Sequence, residues 1–139
     1  MTPEDFAALH AKAFRSTRAW TASEFKDLLA HKTVHWCGDT SCFILIRVVM
    51  DEAEVLTIAT NPAQRRQGLA SKPLMQGENL AKAQGATSVL LEVGENNTAA
   101  RALYAKHGYA QIGTRPGYYM PKDSAPITAF VLRKDLSST

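Results

Sequence analysis

This chain of 139 residues has little of what marks several large classes of protein. It holds two cysteines, Cys37 and Cys42, and no His or carboxylate spacing accompanies them, so no metal site is expected. They flank Gly38-Asp39-Thr40-Ser41, a turn signal that would let them face each other across a hairpin and oxidise in a purified sample, whereas a reducing cytosol would keep both as thiols. No apolar run approaches the roughly 18 residues of a membrane span, and Met1 to His10 lacks a positive start followed by an apolar core. The expectation is a cytoplasmic protein without a membrane partner. A net charge of only +3 is spread along the chain, with no Lys/Arg block and no aromatic-basic interleaving, which argues against nucleic acid and fits a small anionic ligand better. His10, His31, His35 and His107 share no spacing, so surface or capping roles are their default, and His107 beside Gly108 is placed to meet a helix C-terminus. There is no repeat, low-complexity tract or linker. With 45% hydrophobic residues the chain reads as one domain over residues 1–139 with a core of useful size.

What is present is an ordered alternation of patterns. Thr2-Pro3-Glu4-Asp5 opens a helix with Phe6, Leu9, Ala13 and Phe14 on one face, and Thr21 or Ser23 opens a second carrying Phe25, Leu28 and Leu29. Residues 33–37, 42–50 and 53–60 read as strands of an antiparallel meander. A long helix from about Leu69 to Gln84 follows, broken in pattern by Gly77 at a cost of about 1 kcal/mol relative to Ala. Residues 87–93 form a nearly all-apolar strand, expected to be central and buried, and Thr98 to His107 a helix ended by Gly108. Residues 109–113 and 127–133 supply two last strands around a turn-rich loop with Pro116, Gly117, Pro121 and Pro126.

The junction between the third strand and the long helix reads Gln64-Arg65-Arg66-Gln67-Gly68-Leu69-Ala70. A helix start has backbone N–H groups without intrahelical partners and a partial positive charge, which together bind anions. Gly68 and Ala70 keep side-chain bulk away from those amides, and Arg65 and Arg66 add charge. Tight βα geometry alone would also call for the glycine. A P-loop is not indicated, because Ser71, Lys72 and Pro73 follow where Gly-Lys-Ser/Thr would stand.

The meander, the loop Arg65-Arg66-Gln67-Gly68-Leu69-Ala70 opening a long helix, the buried strand and the helix bearing Asn97, Ala102, Leu103 and Tyr104 together resemble the Gcn5-related N-acetyltransferase superfamily. Residues 91–119, LEVGENNTAARALYAKHGYAQIGTRPGYY, are similar in particular to the RimI-like ribosomal-protein-alanine acetyltransferases. The resemblance implies an α/β (α+β) fold with a mixed, mostly antiparallel sheet flanked by helices, lacking the usual first edge strand because Pro3-Glu4-Asp5 starts a helix at once. It implies acetyl-CoA as cosubstrate, with pyrophosphate on the amides from Arg66 to Ser71 and the pantetheine arm along the backbone of Ile58, Ala59 and Thr60. Asn97 matches a cofactor-bonding position, although Asn96-Asn97-Thr98 also reads as a plain helix cap.

The resemblance aligns Glu92 with a general base and Tyr104 with the acid that protonates the departing thiolate. Burial of a lone carboxylate between Leu91 and Val93 would raise its pKa towards a useful range, whereas strand alternation alone would put Glu92 on a solvated face. Tyr104 is equally compatible with a core aromatic whose hydroxyl is satisfied. Trp20, Tyr118 and Tyr119 fall in segments that line the acceptor cleft of similar enzymes, or else form packing lids. No Cys-His or Ser-His-Asp arrangement offers a nucleophile, so direct transfer is expected. The acceptor implied is the N-terminal α-amine of a ribosomal protein; a small amine or lysine side chain, or an acyl-CoA-binding module without activity, are the alternatives, and the protein is a monomer or homodimer.

Overall fold

The computed structural model describes residues 1–14, 19–64, 68–119 and 125–136. Two helices come first, α1 (Pro3–Ala13) and α2 (Ala22–Ala30). Each begins with a capping box: Thr2 and Asp5, then Thr21 and Glu24, exchange side-chain and backbone hydrogen bonds that satisfy two otherwise unpaired donors. Three strands follow, β1 (Val34–Gly38), β2 (Cys42–Val49) and β3 (Glu52–Thr60), then α3 (Ser71–Ala83), β4 (Ser88–Gly94), α4 (Thr98–Lys106), β5 (Ala110–Tyr119) and β6 (Ile127–Asp135). They make one sheet in the order β1-β2-β3-β4-β6-β5, antiparallel throughout except for the parallel β3–β4 pair. The meander and the central, buried β4 follow the sequence pattern.

Alternation along β2 divides the core. Ile44 and Ile46 face a cluster with Leu74 and Ala81 of α3 and Tyr104 of α4, while Phe43 and Leu45 face Phe6 and Leu9 of α1 and Phe25 of α2. Gly77 has its reason here. A Cβ on it would lie 3.2 Å from Ile44 Cδ1, so the missing side chain lets α3 settle close on β2.

Four expectations need correction. The long helix begins at Ser71 and ends at Ala83, with Leu69 and Ala70 in the turn before it. Cys37 pairs with Ile44, not Cys42, because the turn from Gly38 to Ser41 closes with Gly38 opposite Phe43; both thiols are free. Burial pushes each thiol above its ordinary pKa, away from reactive thiolate. The stretch through Pro116 and Gly117 is strand, not loop: β5 is an edge, so a proline without N–H is tolerated, and a register shift between Arg115 and Tyr119 absorbs the residues that do not pair. Tyr109 precedes this strand rather than starting it. No strand precedes α1 among the described residues, and none of their helices is long and apolar enough to cross a membrane.

Candidate active site

The site starts from a defect in strand pairing. On β3, Thr57 pairs with Leu45 and Val55 with Ile46, so Leu56 is an extra residue, a bulge that bends and twists the strand. The parallel ladder to β4 ends just before it. Glu52, Ala53 and Glu54 pair with Ser88, Val89 and Leu90, and beyond them the two strands no longer pair, although β3 runs on to Thr60 and β4 to Gly94. The other edges stay paired, β3 to β2 and β4 to β6. A cleft therefore opens inside the sheet, with unladdered backbone of β3 along one wall.

Ile58, Ala59 and Thr60 form that wall. Ile58 packs on the α3 side and fully buried Ala59 on the α1–α2 side, while Thr60 donates a hydrogen bond from its hydroxyl to Cys42 Sγ at 3.3 Å. Beyond them Asn61 starts a short 3-10 turn, its Oδ1 accepting from Ala63 N. Arg65, Arg66 and Gln67 lie outside the described residues. Gly68 has φ +69°, a conformation that favours glycine, and nothing lies within 4 Å of where its Cβ would be. Leu69 and Ala70 lead into α3, and Ala70 at the cap position supplies no side-chain hydrogen bond. The start of α3 thus has no side-chain cap: Ser71 N–H donates to Gly68 O at 3.3 Å, Pro73 has no N–H to donate, and space is open beside Gly68, an arrangement compatible with an anion at the turn.

Glu92 and Tyr104 stand on opposite sides of β4. Val89, Leu91 and Val93 point into the α3–α4 core, so alternation directs Glu92 to the other face, where its side chain is 24% exposed. The expected lone carboxylate is not alone: Arg115 Nη1 lies 3.2 Å from Glu92 Oε1. Strand order, invisible in the sequence, brings β5 within reach. Tyr104 is buried in the α3–α4 core with its ring edge-on to Tyr109, centroids 5.7 Å apart.

The remaining candidates divide. Asn97 caps α4, its Oδ1 accepting from Ala100 N at 3.2 Å. Trp20 stacks on buried His10 at 4.9 Å and donates its backbone N–H to His10 Nδ1 at 3.2 Å, which is the geometry of a packing lid. Tyr118 and Tyr119 end β5, with Tyr119 opposite Ile127.

Sequence reasoning missed three groups. His107 Nε2 is 3.0 Å from Ser71 Oγ, so this histidine touches the start of α3 rather than serving only its own helix end. Buried Glu78 accepts from Tyr109 Oη at 2.8 Å and from Lys134 Nζ at 2.9 Å. A carboxylate at an α3 position that otherwise faces the core was the available signal, since a buried charge requires partners. Burial, then the charge of Glu78, pushes the Tyr109 phenol above its ordinary value. The third group is Arg115.

The model for the acetyltransferase (GNAT) family matches residues 7–109. The [ribosomal protein bS18]-alanine N-acetyltransferase of Haemophilus ducreyi is 34% identical over 90 residues, 65% of this chain, and the match spans 62% of that protein's length. An N-alpha-acetyltransferase RimI of Mycobacterium tuberculosis is 32% identical over 138 residues, covering 93% of this chain and 84% of the relative. The crystal structure of the ribosomal-protein-S18-alanine N-acetyltransferase from Escherichia coli superposes with a TM-score of 0.86 at 25% identity, covering 99% of this chain and 89% of that one.

Proposed function

Because the chain belongs to the GNAT family of acetyltransferases, we propose that it moves an acetyl group from acetyl-CoA to the N-terminal α-amine of a protein, with a ribosomal protein as the acceptor. The observation that carries this reading is the cleft between β3 and β4, which has the start of α3, without a side-chain cap, beside it and Glu92 and Tyr104 on its two faces. The relatives named for acetylating a ribosomal-protein alanine support the choice of acceptor. Such an acceptor implies a cytoplasmic site of action.

The roles follow from chemistry. Acetyl-CoA supplies an activated acyl carbon on sulfur; the amides from Gly68 to Ser71, together with Arg65, Arg66 and Gln67, hold its phosphates, and the backbone of Ile58 to Thr60 pairs with its amide-bearing arm. An α-amine titrates near 7.7 to 8.0, and its ammonium form has no lone pair. Glu92 takes that proton on the sheet face away from α3 and α4, with Arg115 orienting its carboxylate. The amine nitrogen bonds to the acyl carbon as the carbon–sulfur bond breaks, Tyr104 gives its phenolic proton to sulfur from the opposite side, and the second proton that the nitrogen loses on becoming an amide restores the phenol. Asn97 caps α4 and stands at its exposed start, where it also meets the cofactor. Tyr118 and Tyr119, at the end of β5, belong to the acceptor's approach, whereas Trp20 serves as packing over His10.

The test is transfer of labelled acetyl from acetyl-CoA to a panel of an Ala-initiated basic peptide, spermidine and free lysine, read by intact mass. Modification of the peptide at its α-amine supports the proposal. Exclusive modification of spermidine or lysine moves the acceptor to small amines or side chains, and tight acetyl-CoA binding without transfer makes the protein a binding module.

A further inference from the structure

The exit of α4 is laid along α3. His107 contacts Ser71, the first residue of α3, at 3.0 Å, and Tyr109 donates to Glu78 at 2.8 Å. Ser71 and Glu78 are seven residues apart, two helical turns, so both lie on one face of α3. Between the two contacts Gly108 has φ +90°, which reverses the chain so that the residues on either side of it reach the same helix. The same turn holds Tyr104: Tyr109 N donates to Tyr104 O at 3.0 Å, and the two rings meet edge to face. Lys134 of β6 completes the anchor by pairing with Glu78, leaving no buried side-chain polar atom without a partner among the described residues. A buried ion pair of this kind adds little net stability over apolar packing, which directs attention to what it positions.

We propose that His107-Gly108-Tyr109 is a clamp that fixes Tyr104 relative to the anion-binding start of α3, making His107 and Tyr109 positioning residues for the acyl donor. The inference rests on the reading of the Gly68 loop and Tyr104 as two parts of one donor site. A donor held by its phosphates at the loop gains rate at its sulfur only when the two points are rigidly joined, because binding far from the reacting atoms then orients them.

The experiment compares acetyl-CoA with S-acetylpantetheine, which has the same thioester and no phosphates, in wild type, His107→Ala, His107→Gln and Tyr109→Phe. In wild type kcat/KM is higher for acetyl-CoA. In His107→Ala and Tyr109→Phe the ratio between the two donors falls about tenfold, and the loss appears in kcat for acetyl-CoA as well as in KM. His107→Gln, which keeps a hydrogen-bonding nitrogen for Ser71, restores most of the ratio. A merely structural role lowers both donors together and leaves the ratio at its wild-type value in all variants, which would overturn the clamp. Should Tyr109→Phe fold poorly, the half-buried His107 substitutions decide alone. A wild type that shows no preference for acetyl-CoA overturns the donor-site reading itself, before any variant is compared.

Discussion

Arg115 on β5 reaches across β6 to Glu92 on β4, with Nη1 3.2 Å from Oε1. The Arg115 side chain is 56% exposed, so the pair adds little to stability, and its effect lies in orienting the carboxylate. Arg115→Ala is expected to leave the melting temperature within a few degrees of wild type while lowering kcat. Thermal melts and steady-state rates on the same samples check this; a large drop in melting temperature would contradict it.

Glu92→Gln keeps size and polarity and cannot accept a proton. Turnover should fall by roughly 100-fold or more near neutral pH, with acetyl-CoA affinity almost constant. At pH 9.5 the α-amine is already neutral, so the deficit should shrink. A deficit of equal size at pH 7 and pH 9.5 would mean that Glu92 holds substrate instead of taking its proton.

At Gly68 the cost of a side chain is not a clash within the protein. Nothing stands within 4 Å of the new Cβ, and the φ of +69° imposes a strain of about 1 kcal/mol. Gly68→Val is therefore expected to fold, and to weaken acetyl-CoA binding by roughly tenfold or more because the side chain occupies the approach to the α3 amides. Calorimetry measures it. Wild-type affinity in the folded variant would remove the loop from the donor site.

Tyr104→Phe deletes one hydroxyl from a ring packed in the core. As a proton donor to sulfur its loss should lower kcat by about 10- to 100-fold, since a thiolate of pKa near 8.5 leaves tolerably without help. Stability should hardly change. Full activity in the variant would return Tyr104 to a packing role.

Tyr109 makes a prediction at high pH. Its phenol is pushed up in the fold, first by burial and then by Glu78, while in the unfolded chain it titrates near 10. Below pH 10 both states hold the proton and the stabilisation is complete. Above it the unfolded state releases the proton and the folded state keeps it, so stability falls by up to about 1.4 kcal/mol per pH unit as pH rises. Urea midpoints from pH 9 to 11 should show this slope in wild type and a shallower one in Tyr109→Phe.

Much of the molecule is written in short-range chemistry. Thr2 with Asp5 and Thr21 with Glu24 announce helix starts because a cap needs partners only three residues apart. Nearly unbroken apolar runs mark β2 and β4 because both faces of a central strand are covered by the core. The glycine-bearing loop before α3 was legible for the same reason, whereas Glu92 and Tyr104 stood out as candidates only through the family resemblance.

Spacing along the chain carries no information on which strand lies beside which. The insertion of β6 between β4 and β5 gives Glu92 its arginine from 23 residues away, and the register of β2 on β3, with one residue too many at Leu56, opens the cleft. The same holds for His107 on Ser71 and for Tyr109 and Lys134 on Glu78, contacts that span 31 to 56 residues. Each depends on how helices and strands settle against a shared core. Packing of whole elements sets those distances, and no local pattern specifies them.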